Sequence, residues 1–492
     1  RIREAYGAIP IAVGGVEMYF FPSTESDEAK VARRRVEEQR HRHTSQAGTL
    51  VLVNVCQALL FLQVFLTAQA EDRLLMGVAF GGLALLSWVL YGIYRAAQRS
   101  AYELESLVFL LISIGAAVTA AYDPASLYKL LITAVMGMVL FLAMSGVLRD
   151  LHLSIRARWP VAIAAGALLA FNVVLGERIF GAKNWISIGP LSFQPSELVK
   201  IAFILAGAAT LDRLFAKRNL VFTILFSAYC VGCLALMSDF GTALIFFVAF
   251  LCIAFLRTGD LPSIAMMVAA AAFGCGIILR FKPYIADRFA AWRHAWDYAQ
   301  DIGYQQTRTM SAMASGGLFG VGPKDGWLKY VGAANTDLVF GVVGEEFGFL
   351  LALCCVAALV IPIVFTLRCA AAARSSFYTI LSCATAAMLV CQMALNVLGA
   401  VDLLPLTGVT FPFVSMGGSS MISCWGLMAY LKAADTRQNA SFALRLSKLA
   451  PQQREKKAAP APKARPKAPQ EGFFADRPDI PVDKIFGKEE DK

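Results

Sequence analysis

Long apolar runs, separated by short polar connections, repeat along most of the chain. About twelve of these runs approach or reach the roughly 20 residues that cross a bilayer as a helix. Few charged residues interrupt them, so the pattern predicts an all-α fold, that of a polytopic integral membrane protein. The predicted spans are 48–68, 74–95, 103–121, 128–147, 159–175, 195–215, 219–237, 240–256, 261–280, 339–367, 376–400 and 411–432.

The connections between these runs alternate in their content of basic residues. One set contains Arg95, Arg149, Arg257 and Arg368, whereas the opposite set, at 69–73, 123–127 and 237–241, is poor in Lys and Arg. Lys and Arg accumulate in the cytoplasmic loops of membrane proteins. We therefore expect a multi-pass protein of the cytoplasmic membrane with both termini in the cytoplasm, as an even number of spans requires.

Composition agrees with a membrane location. The chain of 492 residues is 58% hydrophobic and only 16% charged, whereas a soluble domain carries about 25% charged residues. The net charge of +10 is explained by the cytoplasmic loops, and no motif for binding RNA or DNA is present. We expect membrane lipids, and no nucleic acid, among the partners.

Two terminal regions differ from the apolar middle. An apolar stretch at 8–22 is too short for a good span and predicts a strand or a surface segment. The C-terminal end is basic and rich in Ala and Pro, which predicts a disordered tail, either solvated or in contact with anionic lipids. The predicted divisions are a cytoplasmic extension at 1–47, two transmembrane helices at 48–100, a transmembrane core at 101–434 with a large outer loop at 281–338, and the cytoplasmic tail at 435–492.

Ionisable residues near the outer ends of the spans are candidates for chemistry, because charge at membrane depth is costly. Pro195 can open a helix, and Glu197 and Lys200 then share one face of it. Lys200 either snorkels toward the interface, paired with Glu197, or faces a phosphate in a cavity. Asp239 stands at another helix start, where it is either an N-cap or part of a site.

The outer loop at 281–338 carries further candidates. Its first half is an amphipathic stretch with Arg288, Trp292 and Trp296, which suits a helix lying on the outer leaflet. Five glycines between 316 and 326 predict tight turns or a close approach to a ligand.

Three acidic residues follow this loop. Asp337 precedes the span at 339–367, where it is either an N-cap or a general base acting on a sugar hydroxyl. Glu345 and Glu346 fall about two turns inside that predicted span, where they would be costly unless they face a polar cavity. Basic residues that could hold a pyrophosphate nearby are Arg288, Lys324 and Lys200.

Pro and Gly interrupt the apolar pattern at 404–420, which reads LPLTGVTFPFVSMGGSS. Broken helices survive in membranes where the backbone lines a cavity. Asn396, inside the preceding span, predicts a helix–helix hydrogen bond rather than a ligand contact.

Taken together, the motifs GAKNWISIGPLSFQPSELVK, SDFGT, GYQQT, NTDLVFGVVGEEFG and LPLTGVTFPFVSMGGSS resemble, in order and spacing, those of the SEDS family (shape, elongation, division and sporulation; FtsW, RodA and SpoVE type). The resemblance covers about residues 102–434. It implies a ten-helix core that polymerises lipid II into glycan strands during bacterial division, elongation or sporulation, together with a class B penicillin-binding transpeptidase. The spans at 48–68 and 74–95 have no counterpart in that core.

The resemblance also implies roles for individual residues. The catalytic acid of the family falls on Asp337, although the motif here reads NTDL rather than HTDF. Where many members have Arg before the Trp of the first loop, this chain has Asn184, so the basic role is expected at Lys183. The residues expected to bind the substrate are Lys200, Glu197, Lys183, Arg288, Gln305, Glu345, Glu346, Asp239, Ser415, Gly417 and Gly418.

The implied reaction is an inverting transfer. Asp337 would take the proton from the 4-OH of the acceptor GlcNAc, and that oxygen would attack the anomeric carbon of the donor MurNAc. Undecaprenyl pyrophosphate would leave, helped by Lys200 and Arg288 and by a divalent cation (Mg²⁺ or Mn²⁺) whose ligands the sequence does not identify. Two rival functions stay open. One is a flippase for the same lipid, which intramembrane charges and broken helices also fit, and the other is a non-catalytic scaffold for the transpeptidase.

Overall fold

The computed structural model describes residues 9–13, 16–20, 46–99, 101–179, 182–188, 191–211, 217–281, 283–370 and 375–435. Eight of the described helices are long and apolar enough to cross a membrane, and α7, α8, α10 and α16 occupy the other predicted spans. This architecture confirms the predicted all-α, polytopic fold class. The helices are α1 Gln46–Leu66, α2 Arg73–Ala96, α3 Glu103–Tyr122, α4 Leu127–Val147, α5 Leu151–Arg156, α6 Arg158–Leu175, α7 Pro195–Leu211, α8 Lys217–Leu236, α9 Phe240–Thr258, α10 Leu261–Phe281, α11 Pro283–Ala291, α12 Tyr304–Gly316, α13 Val339–Val342, α14 Phe349–Ala370, α15 Ser376–Ala400 and α16 Gly418–Ala433.

Five short strands accompany the helices. Strands β1 Ile9–Val13 and β2 Val16–Phe20 form an antiparallel hairpin within the stretch predicted as a strand or surface segment. Strands β3 Glu177–Ile179, β4 Ala182–Ile188 and β5 Leu191–Phe193 form an antiparallel sheet in the first outer loop, which the sequence did not predict. The rest of the predicted extension up to residue 45, and the predicted tail from 436, lie outside the described residues.

Two connections that are poor in Lys and Arg, the α1–α2 turn and the turn before α9, lie at the same end of the bundle as the two large loops. The Lys324 ammonium in the long loop lies 3.9 Å from the Asp72 carboxylate in the α1–α2 turn. The Asn184 amide in the β-sheet donates to the Asp239 carboxylate before α9 at 2.7 Å. We call this end the loop end.

The basic connections meet at the opposite end. The Tyr378 hydroxyl near the start of α15 donates to the Leu148 carbonyl after α4 at 2.7 Å. The Lys432 ammonium at the end of α16 donates to the Ala101 carbonyl before α3 at 2.9 Å. The alternation that the sequence predicted therefore corresponds to two distinct ends of the bundle.

The α1–α2 hairpin packs against α3 and α4 at the side of the bundle. Its helices are held together by the Gln57 side-chain amide, which donates to the Phe80 carbonyl at 2.7 Å. The Tyr102 hydroxyl donates to the Ser87 carbonyl at 2.7 Å and so joins the hairpin to the start of α3. Helix α3 is consequently enclosed, and 89% of its 18-residue apolar stretch is buried.

The span predicted at 339–367 is wrong in its first half. Helix α13 ends at Val342, a π-helical turn follows at Val343–Phe347, and the long helix α14 begins only after Gly348. Glu345 and Glu346 lie in the π-turn, so they precede the membrane-spanning helix instead of lying two turns inside it. Single π-turns are frequent at functional sites.

The span predicted at 411–432 is also shorter than expected, because α16 begins at Gly418. Residues 401–417 have no regular secondary structure, and we call them the 401–417 segment. A Cβ built on Gly115 would lie 2.6 Å from the Val414 carbonyl oxygen. Gly115 is seven residues from the end of α3 at Tyr122, which is about 10 Å at 1.5 Å per residue. The segment therefore penetrates well into the bundle, as a broken helix that lines a cavity would.

Candidate active site at the loop end

Asp337 lies in the turn immediately before α13, and its side chain is half-buried. Its N–H donates to the Ala333 carbonyl at 3.0 Å, which closes the turn. Its own carbonyl accepts from the Asn396 amide of α15 at 2.9 Å. Its carboxylate faces Gly408, where a Cβ would lie 3.2 Å from Oδ2. The carboxylate is therefore held between the end of the long loop and the 401–417 segment.

The surroundings of Asp337 favour a carboxyl group that exchanges protons near neutrality. Burial raises its pKa to about 6, and the negative Asp239 adds to the rise. The Thr336 hydroxyl and the Arg288 guanidinium act in the opposite direction but do not cancel the effect of burial. A carboxyl group with a pKa in this range suits general acid–base chemistry.

Arg288 connects the long loop to the 401–417 segment. Its Nη1 donates to the Leu406 carbonyl at 2.6 Å, and Trp292 Nε1 donates to the Leu403 carbonyl at 3.0 Å. The stretch predicted to lie on the outer leaflet is helical only over α11, Pro283–Ala291. The side chains of Arg288 and Trp292 thus hold the 401–417 segment, which faces Asp337.

Ser415 fastens the other end of the segment to the turn before Asp337. Its hydroxyl donates to the Thr336 carbonyl at 2.6 Å and accepts from the Phe411 N–H at 2.8 Å. Gly417 is the N-cap of α16, and Gly418 packs close to Thr133. Ser415, Gly417 and Gly418, which were predicted to bind substrate, thus contact other parts of the protein and fix the position of the 401–417 segment.

Asp239 is the N-cap of α9, as one of the two sequence interpretations predicted, and it accepts from the Thr242 N–H at 3.1 Å. Its other oxygen accepts from the side-chain amides of Asn184 at 2.7 Å and Gln194 at 3.0 Å. Asn184, at the position where many SEDS proteins have Arg, thus contacts Asp239. Lys183 points elsewhere: its ammonium donates to the Val173 carbonyl at 2.9 Å and to the next carbonyl along, at the C-terminus of α6.

Lys200 is almost completely buried, with 1% of its surface exposed. Its ammonium donates to Glu197 at 2.8 Å and to Gln392 Oε1 at 2.9 Å. Gln392 in turn donates to the carbonyl and the hydroxyl of Thr410, both at 3.0 Å. The predicted pair with Glu197 is therefore present, but Lys200 neither snorkels nor faces an open cavity: it supports the 401–417 segment from behind.

Glu345 anchors the long loop from within. Its two oxygens accept from the Trp327 N–H at 2.9 Å and the Leu328 N–H at 3.0 Å. Beside it, burial raises the pKa of Glu346 to about 7, and the neighbouring Glu345 and Asp325 add to the rise. Backbone N–H groups of the loop thus accommodate Glu345, whereas among the described residues Glu346 Oε2 is buried and receives no hydrogen bond.

The glycine-rich stretch at 316–326 lies close to the backbone of the π-turn. The N–H groups of Val321 and Gly322 donate to the Glu345 and Glu346 carbonyls at 2.9 and 3.0 Å. Gln305, another predicted substrate-binding residue, donates to the Gly332 carbonyl at 3.0 Å. These contacts brace the turn that presents Asp337.

Comparison with known proteins places this arrangement in a family. Residues 98–440 match the FtsW/RodA/SpoVE family of cell cycle proteins. The chain belongs to this family. It is 28% identical over 366 residues (69% of this chain and 93% of the relative) to a probable peptidoglycan glycosyltransferase FtsW of Saccharophagus degradans. It is 29% identical over 388 residues (71% of this chain and 82% of the relative) to the peptidoglycan glycosyltransferase RodA of Mycobacterium leprae.

Two solved structures are similar to this FtsW/RodA/SpoVE protein. One is a chain from a peptidoglycan synthase complex described by its coordination of polymerization and crosslinking, with a TM-score of 0.58 and 28% identity over 69% of this chain and 98% of that one. The other is the rod shape determining protein RodA of Thermus thermophilus, with a TM-score of 0.52 and 25% identity over the same shares. Helices α1 and α2 precede the residues that match the family.

Sequence reasoning on this family member missed three polar residues of the site. Gln392 and Gln194 were not singled out, and Asn184 was noted only as a departure. A signal was available for Gln392, which is an amide inside an apolar span one turn before Asn396. No signal in the sequence showed that Gln392 contacts Lys200, because the two residues are 192 positions apart.

The divalent cation remains a prediction. Among the described residues, no group of three or more His, Cys, Asp and Glu side chains could hold a metal ion. Magnesium can be bound through one or two carboxylates together with substrate phosphates, but the described residues provide no cage of their own. The mechanism proposed below therefore passes through no metal.

We expect Gly408→Ala to lower activity at least tenfold more than Gly259→Ala. Both glycines have positive φ angles, 72° and 63°, so both substitutions carry a backbone strain of about 1 kcal/mol. Only at Gly408 would the methyl group contact the Asp337 carboxylate, because Gly259 faces open space. Glycan synthesis by the two purified variants measures the difference, and equal activities would show that the space beside Asp337 is not needed for substrate.

Proposed function

We propose that this protein is a peptidoglycan glycosyltransferase that polymerises lipid II into glycan strands, with Asp337 as its general base. One observation carries the proposal: a half-buried carboxyl group, with its pKa raised to about 6, lies beside a segment that breaks the helical bundle. The names of the relatives, peptidoglycan glycosyltransferases of the FtsW and RodA types, support the same reaction.

In this mechanism the ionised Asp337 accepts the proton of the acceptor hydroxyl. The electron pair left on the acceptor oxygen attacks the anomeric carbon of the donor sugar. The bond from that carbon to the pyrophosphate oxygen breaks, and its electrons leave with the pyrophosphate. The configuration at the anomeric carbon inverts in a single displacement. Burial keeps the Asp337 carboxylate basic enough to remove a proton at neutral pH.

In this proposal, Arg288 opposes the negative charge that develops on the leaving pyrophosphate. It is near enough to Asp337 to lower its pKa, while one of its nitrogens holds the Leu406 carbonyl. A guanidinium has five N–H donors, so it can hold a backbone carbonyl and phosphate oxygens together. Lys200 has a supporting role in this proposal, because its ammonium is buried against Glu197 and Gln392.

The loop end is proposed to face the outside of the cell, with both termini in the cytoplasm. The concentration of Lys and Arg in the connections at the opposite end supports this orientation. We further propose a class B penicillin-binding transpeptidase as partner. The similarity to a chain from a peptidoglycan synthase complex that coordinates polymerization and crosslinking supports it.

The decisive experiment is an assay of the purified protein with lipid II, with and without a class B transpeptidase, followed by separation of the products by length. Glycan strands that depend on Asp337 support the proposal. Unchanged lipid II moved to the other leaflet of a vesicle would instead indicate the flippase. Transpeptidase binding without polymer from any preparation would indicate the scaffold.

The polymerisation rate is expected to fall as the pH drops through about 6. A general base works only in its ionised form, and the pKa of Asp337 is raised to about 6. Activity should therefore be full above pH 7 and decline about tenfold for each unit below the pKa. The pH profile of kcat/KM for lipid II measures this, and a rate that stays constant down to pH 5 would contradict the role of Asp337 as base.

A further inference from the structure

We propose that Asn396 is a positioning residue that holds Asp337 and the 401–417 segment in one fixed arrangement. The proposal rests on the role of Asp337 given above, and it assigns to Asn396 a function other than the helix–helix bond that the sequence predicted.

Asn396 forms two hydrogen bonds through the NH₂ group of its side-chain amide. Its Nδ2 donates to the Asp337 carbonyl at 2.9 Å and to the Val409 carbonyl at 2.8 Å. The residue is 1% exposed, so these bonds form in a region from which water is excluded. Both N–H groups of the amide are used, and they join two stretches of chain that lie on either side of the Asp337 carboxylate.

The carboxylate is sensitive to the relative position of these two stretches. Gly408, next to Val409, has its Cα hydrogen directed toward Asp337 Oδ2, with a built Cβ 3.2 Å from that oxygen. A shift of the segment by 1 Å would therefore change the space in which the acceptor hydroxyl meets the base. Misplacement of this size can reduce an enzymatic rate by about a hundredfold.

Gln392 supports the same segment from one turn earlier in α15. Its amide binds Thr410, and its oxygen accepts from the buried Lys200. The hydrogen bonds of Gln392 to the described residues go to Thr410 and Lys200, whereas Asn396 bonds directly to the Asp337 carbonyl. Asn396 is thus the link from α15 to the base itself, and Gln392 fixes only the segment opposite it.

The amide oxygen of Asn396 supports this assignment. Among the described residues, Asn396 Oδ1 is buried and receives no hydrogen bond. A buried unsatisfied oxygen costs about 1–3 kcal/mol. A residue retained only to stabilise helix packing would be replaceable by an apolar one, whereas the two carbonyls need a donor at this position.

The test compares Asn396→Leu with Gln57→Leu. Both substitutions replace a buried amide that donates to a backbone carbonyl by an apolar side chain of similar size, but Gln57 lies in α1 and binds Phe80 in the α1–α2 hairpin. For Asn396→Leu we expect kcat for lipid II polymerisation to fall about 10- to 100-fold with KM within about twofold of the native value. Gln57→Leu should leave both parameters unchanged.

Amide hydrogen exchange gives a readout that does not depend on activity. In Asn396→Leu, peptides covering 333–341 and 405–416 should exchange faster, while those from α1 and α2 should not change. Should Asn396→Leu fail to accumulate in membranes, Asn396→Ser, which keeps one donor, takes its place with the same measurements. We expect from it a smaller loss of kcat and a smaller rise in exchange.

Two results would overturn the proposal: unchanged exchange in both peptides, or a lowered kcat accompanied by faster exchange across the whole protein. The first shows that Asn396 does not hold the two stretches, and the second shows general destabilisation. Failure of the proposed function is seen separately, since it requires that Asp337→Asn remain active. In that case the exchange data still decide whether Asn396 fixes the arrangement.

Discussion

Asp337→Asn is expected to lower the rate of lipid II polymerisation by about 10²- to 10⁴-fold, the usual contribution of a general base. The amide has the same size as the carboxyl group and keeps its contacts with Gly408 and the loop, but it cannot accept the proton of the acceptor hydroxyl. The initial rate of glycan formation by purified native and variant proteins, at pH 7.5 and equal protein concentration, measures the effect.

Asp123→Asn provides the matched control for this experiment. Asp123 also lies at the loop end, where it accepts a hydrogen bond from Ser126 in the connection between α3 and α4. Among the described residues, its side chain bonds to Ser126 and to none of the residues around Asp337, so its conversion to Asn should leave the rate unchanged. An Asp337→Asn protein that accumulates normally and retains more than a tenth of native activity would remove Asp337 from the mechanism.

Lys200→Met is expected to destabilise the folded protein by about 3–5 kcal/mol and to abolish most polymerisation. Within the described part of the chain, the substitution leaves the buried Glu197 carboxylate with a hydrogen bond from the Ser423 hydroxyl but no cation, and an uncompensated buried charge is strongly destabilising. It also removes the donor that orients Gln392 toward Thr410. Thermal unfolding in detergent and the polymerisation rate measure the two effects.

The double variant Glu197→Gln with Lys200→Met should be more stable than Lys200→Met alone, because the buried charge is then absent. Its polymerisation rate should nevertheless stay low, since Gln392 still lacks its partner. If the double variant recovers native activity along with stability, Lys200 matters only as the counterion of Glu197. If the single variant is as stable as the native protein, the ion pair is not buried as described.

Hydropathy predicted the spans well where a helix is continuous from one end of the bundle to the other. The span predicted at 376–400 has the bounds of α15, Ser376–Ala400, because length and apolar content alone determine such a helix. The N-cap at Asp239 was also foreseeable, since an acidic residue before an apolar run can accept the free N–H groups of a helix start.

Hydropathy failed where the chain leaves the helical path without becoming polar. Residues 339–347 are largely apolar, so the π-turn before Gly348 could not be distinguished from a span. The same holds for the 401–417 segment, whose Phe411 and Val414 are buried although no helix contains them. The contacts that explain these regions are long-range, such as Arg288 with Leu406, and no local pattern encodes them.

Similar reasoning limits what could be known of the candidate site. Residue types and motifs identified Asp337, Arg288 and Lys200 as candidates, but they did not show which of these side chains lie close together. Lys200 was expected to face phosphate, yet its ammonium is enclosed by Glu197 and Gln392. Whether a buried cation serves a substrate or a neighbouring segment depends on side chains from a distant helix.

The α1–α2 hairpin has a practical consequence for anyone who shortens the chain to the part shared with its relatives. A polypeptide starting at residue 98 would lose the Tyr94 hydroxyl that donates to Glu105, together with the Ser87 carbonyl that accepts from Tyr102. The buried pair of Glu105 and Lys432, 3.1 Å apart at the basic end of the bundle, would then lose this cover. Such a truncated protein would aggregate or be degraded even though every motif of its catalytic half is intact, so expression trials should begin no later than α1.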